Sequence, residues 1–96
     1  MTSITLTANV STVLASDVSR RKEWKVVLVD SSGNRFLLIF SHQQGEDVQF
    51  KVGEPLTVRG IMHTQYGRET MPVLLPAQSC GGFVRYKGRV LIPSAG

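Results

Sequence analysis

The 96-residue chain contains one cysteine, so no internal disulfide can form and a four-cysteine metal site is excluded. It has no apolar run of about 18 residues, so no membrane-spanning helix is expected. Its start shows no basic region followed by an apolar block, so no secretory leader is expected and a cytoplasmic location is the default expectation. No stretch of about ten residues repeats its apolar positions at the helical period, which argues against an α-helical fold. Internal repeats and low-complexity segments are absent. Aromatics are sparse at 7%, and no acid follows Glu69. What is present is ordinary globular composition, 42% hydrophobic and 19% charged. A mass of 10.6 kDa suits a single domain over residues 1–96. Such a chain buries roughly 65% of its unfolded surface, enough for a modest core without covalent staples.

Net charge is +4, and its distribution says more than its sum. Arg20, Arg21, Lys22 and Lys25 crowd one segment, opposed locally by Glu23; Arg85, Lys87 and Arg89 crowd another. Glu46, Asp47 and Glu54 fall between them. Segregation of this kind suggests a basic face, which suits phosphate-rich partners. Ordinary solvated surface is the competing explanation.

Residues 4–10 alternate apolar and polar, with Ile4, Leu6, Ala8 and Val10 on one face, the pattern of a half-buried strand. After Ser11 the apolar residues shift to Val13 and Leu14, and that change of parity predicts a bulge and a bend. Residues 15–22 read as a basic loop. Residues 23–30 and Arg35–Ser41 read as a hairpin around Ser31, Ser32, Gly33 and Asn34, since Gly and Asn tolerate positive φ. Residues 42–50 have room for a turn of helix at most. A fourth strand is expected over 56–62, with Leu56 and Val58 facing one way and Thr57 and Arg59 the other. Residues 65–68 form a loop tip. A fifth strand over 71–75, carrying Pro72 and followed by Pro76, fits an edge or bulge better than a sheet centre. Cys80, Gly81 and Gly82 mark a break, and residues 83–86 and 89–92 flank Lys87 and Gly88 as a last ribbon. The expected class is all-β. Short strands with glycine-bearing turns imply a small barrel or sandwich, and a chain this short favours a barrel over about 4–78 with a C-terminal β-ribbon over about 83–92.

The order of these elements resembles an OB-fold. A long bent first strand ends near Val13, a hairpin turns through Asp30, Ser31, Ser32 and Gly33, and the fourth strand opens on Lys51, Val52, Gly53, Glu54, Pro55, Leu56, Thr57, Val58, Arg59 and Gly60. That last segment is similar to the glycine–acid opening of the fourth strand in many OB domains. Gly53 permits a tight start, and Gly60 lets a curved strand close a small barrel. The short segment 42–52 and the acid-free ending Ile92, Pro93, Ser94, Ala95 and Gly96 depart from general replication single-strand binders. A small, helix-poor single-stranded DNA-binding protein, PriB-like or of phage or plasmid type, fits better.

The resemblance implies binding of an oligonucleotide across strands two and three and by the loops joining strands one to two and four to five. On that surface fall Arg20, Arg21 and Lys22 in the first loop, Trp24 and Lys25 at the start of strand two, and Tyr66 and Arg68 in the second loop, approached by His63. Arg35 and Arg59 lie on or beside the face between them, and Arg85, Tyr86 and Lys87 extend it. Cations suit phosphates and flat rings suit bases: stacking contributes about 1–3 kcal/mol per base without reading sequence, and arginine adds cation–π contact and forked phosphate binding. Each residue has a plainer role beside this one. Trp24 shares parity with Val26 and Leu28 and equally suits the core. Phe36, Phe40 and Phe50 suit the core better than a stacking platform. Strand three is apolar on both faces, so one of them needs a cover, a partner subunit being one option. The C-terminal run from Phe83 to Arg89 suits nucleic acid or pairing with another subunit equally well.

No catalytic set emerges. His42 and His63 lack metal-ligand spacing with Cys80, Cys80 has no identifiable His and acid partners, and the adjacent Glu46 and Asp47 do not converge. Gly45, Gly53 and Gly60 do not form a phosphate loop before a helix. The expectation is therefore a non-enzymatic, cofactor-free and metal-free binder of single-stranded nucleic acid, DNA before RNA, serving replication or recombination. Self-association is expected because paired short grooves gain avidity. An OB-type protein-interaction module in a larger complex is the alternative.

Overall fold

The computed structural model describes residues 3–16, 23–41 and 49–93. Seven strands occur among them: β1 Ile4–Ser16, β2 Glu23–Val29, β3 Arg35–Ser41, β4 Pro55–His63, β5 Val73–Leu75, β6 Phe83–Tyr86 and β7 Arg89–Leu91. A short 3₁₀ turn, Gln78–Cys80, joins β5 to β6. The sheet order is β1-β2-β3-β5-β4-β6-β7, and β1 also pairs with β4. That extra pairing closes β1-β2-β3-β5-β4 into a five-stranded barrel and leaves β6 and β7 as a ribbon outside it. β3 and β5 run parallel; every other neighbouring pair is antiparallel. This all-β arrangement is consistent with an OB-like fold.

Closure depends on β1 serving two partners. Residues from Ile4 to Asn9 pair with β4, and residues from Asn9 to Ser16 pair with β2. The register of the second half slips between Val10 and Thr12 and again between Val13 and Ala15. The parity change after Ser11 marks the first slip, and the bend it produces turns the strand from one partner to the other. β1 continues past Val13, to Ser16. The turn before β4 sits against this bend: the Val10 N–H donates to the Glu54 carbonyl at 2.9 Å, and the Gly53 N–H donates to the Val10 carbonyl at 2.8 Å. Gly53 has φ +89°, a conformation side chains resist.

Alternation along each strand sends one set of side chains inward. Ala8, Val10, Val26, Leu28, Phe36, Leu38, Phe40, Leu56, Val58 and Leu74 line the barrel, joined from the ribbon by Val84, Tyr86 and Leu91. Phe50, from the segment before β4, packs edge-on against Trp24 at 5.2 Å, Tyr86 at 5.0 Å and Phe40 at 6.1 Å between ring centroids. Each such pair contributes about 0.5–1.5 kcal/mol beyond its buried area.

A second cluster lies on the outward side. Val27, Leu37, Ile39 and Val73 are buried there, with Met71 and Leu75 packed against them. Leu37 is 0% exposed although it points away from the barrel interior. Both faces of β3 are therefore covered within this one chain. Residues Met71 and Pro72, expected to open the fifth strand, precede β5 instead.

Candidate nucleic-acid interface

The β2–β3 register decides which residues share the outward face of the hairpin. Lys25 lies opposite Ile39, Val27 opposite Leu37, and Val29 opposite Arg35. Arg35 sits at the turn end, about 13 Å along the strand from Ile39. Beside it the turn is locked by Asp30, whose carboxylate accepts the backbone N–H groups of Ser32 and Asn34, both at 2.9 Å. The Asn34 backbone N–H is the main cause holding the Asp30 carboxyl below its ordinary value. At the other end of the hairpin the Lys25 ammonium pairs with Glu69 at 3.5 Å, tying the β4–β5 loop to β2.

That loop carries the exposed aromatic. Tyr66 is 41% exposed, its ring 5.8 Å from the His63 ring at a tilted angle, and Arg68 is exposed two residues on. Trp24 lies at the same end of β2 but belongs to the inward set, half-buried against Phe50 and the barrel core. Arg20, Arg21 and Lys22 lie outside the described residues, as do His42, Glu46, Asp47 and the segment 42–48.

The remaining cations occupy a different surface. On β4, Thr57, Arg59, Ile61 and His63 point outward in one row. Arg59 lies opposite Thr5 of β1 and Phe83 of β6; Thr57 lies opposite Thr7 and Arg85. The Arg59 guanidinium donates to Thr5 Oγ1 and Ser3 Oγ, each at 2.9 Å. The Arg85 guanidinium sits 5.8 Å from the Phe83 ring centroid. Lys87, in the ribbon turn, pairs with Glu54 at 3.7 Å and lies over the Tyr86 ring.

Tyr86 is a core residue and offers no free ring to a base. It is 4% exposed, and its hydroxyl accepts the Lys51 N–H at 3.0 Å. The opposition of Tyr86 to Leu56 across β6 and β4 turns it inward, while Phe83 and Arg85 face out. The hydroxyls of Ser3, Thr5, Thr7 and Thr57 were not singled out from sequence, whereas His63 and the run containing Phe83 were set beside the expected surface. The outward parity of Thr57 and Arg59 was legible, but the neighbours that join them come from strands distant in the chain. Cys80 donates its thiol to the Ala77 carbonyl at 3.2 Å within the 3₁₀ turn, a local structural bond. Among the described residues no three His, Cys, Asp or Glu side chains converge on a metal-sized site, and no helix is long and apolar enough to cross a membrane.

No protein-family model matches this chain, and neither does any curated protein or solved structure. The functional reading therefore rests on the barrel's connectivity and on the chemistry of its outward residues.

Proposed function

We propose that this protein binds single-stranded nucleic acid, DNA before RNA, without chemistry, cofactor or sequence preference. One observation carries the reading: an OB-like barrel presents an exposed Tyr66 beside His63, with Arg68 exposed in the same loop. A ring pair offers bases a sequence-tolerant platform, and arginines beside it neutralise phosphates. A cytoplasmic role in replication or recombination, with pairing of subunits to join short grooves, completes the reading.

The test is fluorescence anisotropy of a labelled oligo-dT at low and moderate salt. Neutralising about four phosphates gives a log–log salt slope near −3. Tyr66→Ala should weaken binding by roughly 5- to 150-fold, the equivalent of about 1–3 kcal/mol of stacking. Trp24 is a poor reporter, because its ring packs on Phe50. No anisotropy change at tens of micromolar protein would sink the proposal.

One observation favours a protein-interaction module instead. β7 ends the strand order, and Val90 on it is 50% exposed. An edge strand with an exposed β-branched residue is a template for strand addition. If Val90→Lys breaks an assembly while Arg68→Ala leaves it intact, this second reading takes precedence.

A further inference from the structure

We infer that the bound strand follows the outward row of β4, from Arg85 and Phe83 through Arg59 to His63 and Tyr66, and does not cross the β2–β3 face. The inference rests on the nucleic-acid reading and assigns its path.

The β2–β3 face is closed to a polyanion. Its outward centre is Val27, Leu37 and Ile39, buried with Val73 under Met71 and Leu75. Phosphates laid there would meet apolar surface with no donor. The cations of that face stand only at its two ends: Lys25, paired with Glu69, and Arg35 at the turn.

The β4 row is more open and more polar, though Ile61 and His63 border Leu75 and Val73 of that apolar cluster. Thr57, Arg59, Ile61 and His63 are all partly exposed. Residues 57–63 span roughly 20 Å at strand rise, room for about six nucleotides at the ~3.4 Å spacing of stacked bases. Aromatic rings stand at both ends, Phe83 beside Arg59 and Tyr66 beside His63. Thr5 and Thr7 flank the row from β1. Thr5 Oγ1 accepts from Arg59, and the Thr7 and Thr57 hydroxyls bond each other at 2.9 Å, which leaves one hydroxyl hydrogen of that pair and the one on Thr5 for a phosphate. Charge completes the case. Among the described residues, Lys25 and Lys87 each have an acid partner, whereas Arg59 and Arg85, like Arg35 and Arg68, form no ion pair. Arg59 and Arg85 stand on neighbouring strands, Arg85 opposite Thr57, while Arg35 stands alone at its turn. Arg59 bonds only hydroxyls here, which leaves its positive charge uncompensated and holds its planar fork in place.

The experiment is oligo-dT anisotropy with Arg59→Ala/Arg85→Ala, with Arg85→Glu, and with Arg35→Ala as the comparison off the row. Arg85 is exposed, so its charge reversal leaves the core untouched if the double variant fails to fold. The inference predicts that the double variant loses more than tenfold in affinity. It also predicts that the salt slope flattens by about 1.4, from two contacts at ~0.7 each. Arg85→Glu should weaken binding at least fivefold, and Arg35→Ala should stay within twofold. If the unmodified protein binds and both row variants stay within twofold of it, the path is wrong while the nucleic-acid reading stands. If the unmodified protein does not bind, the reading fails and takes the path with it.

Discussion

Gly60 is the residue whose replacement tests the barrel most directly. It sits where β4 passes from β6 to β5 as its neighbour, opposite Ile4 on β1. An alanine Cβ there would lie 2.6 Å from the Leu75 carbonyl oxygen and 2.8 Å from the Leu75 carbonyl carbon and the Pro76 nitrogen. Two effects oppose each other. Alanine restricts the unfolded chain and favours the strand by about 0.5–1 kcal/mol. The contact requires β4 or β5 to retreat by several tenths of an ångström, and overpacking of this kind costs about 1–3 kcal/mol. All three atoms belong to backbone, so no side chain can rotate out of the way. The clash wins, with a net loss of about 1–2 kcal/mol. For a domain of this size that lowers Tm by roughly 4–16 °C. Thermal and urea unfolding followed by circular dichroism would read it, with Gln65→Ala in the exposed loop after the same strand expected to stay within about 0.5 kcal/mol. A Gly60→Ala protein that melts at or above the temperature of the unmodified one would refute the close approach of β4 and β5, and with it this account of closure.

Tyr86→Phe removes the acceptor of the Lys51 N–H and should cost about 1 kcal/mol in urea unfolding, while oligonucleotide affinity stays unchanged because the ring faces inward. Leu37→Ala should cost about 2–5 kcal/mol by the same measurement, the value for a buried core leucine; a loss under 1 kcal/mol would show the outward β3 face to be open. Asp30 has a lowered pKa in the fold, so its contribution is present above the unfolded value and is lost as pH falls through the lower folded one. Asp30→Asn should therefore flatten the acid limb of a urea-midpoint profile below about pH 4, and an unchanged limb would remove the turn from the account.

The hairpin and the bulge were legible because each is written locally, and the barrel followed from short strands in a chain too short for a sandwich. Period-two alternation from Ile4 to Val10, the parity change after Ser11, and the Asp30–Asn34 turn depend on residues close together in the chain. The arrangement of β6 was not legible. Its place beside β4 joins residues from Arg59 and Phe83 out to Leu56 and Tyr86, far apart in the chain, and nothing in the ribbon specifies that neighbour. The same gap explains Tyr86. Its alternation with Phe83 and Arg85 was plain, but which face was inward depends on the pairing with Leu56. Strand three being apolar on both sides signalled that a cover was needed, and the cover comes from Val73, Met71 and Leu75 of this chain. The site was legible as residue types, while the pairings that set Arg59 beside Thr5 and Phe83 join strands far apart in the chain.

Arg59 and Arg68 carry equal charge but stand on unequal supports, and this difference is measurable. β4 is bonded to β1, β5 and β6, and the Arg59 guanidinium is held by Ser3 and Thr5. Arg68 stands exposed in a loop. Fixing a long side chain on binding costs about 0.5–1.5 kcal/mol, a cost Arg59 has largely met in the free protein. Ser3→Ala with Thr5→Val removes that support without removing charge. The number of phosphates neutralised is then unchanged, so the salt slope should hold while Kd rises by roughly 2- to 12-fold at every salt concentration. A slope that falls with the affinity would mean the hydroxyls themselves hold Arg59 on the phosphate path. An unchanged Kd would mean that the fork gains nothing from being held.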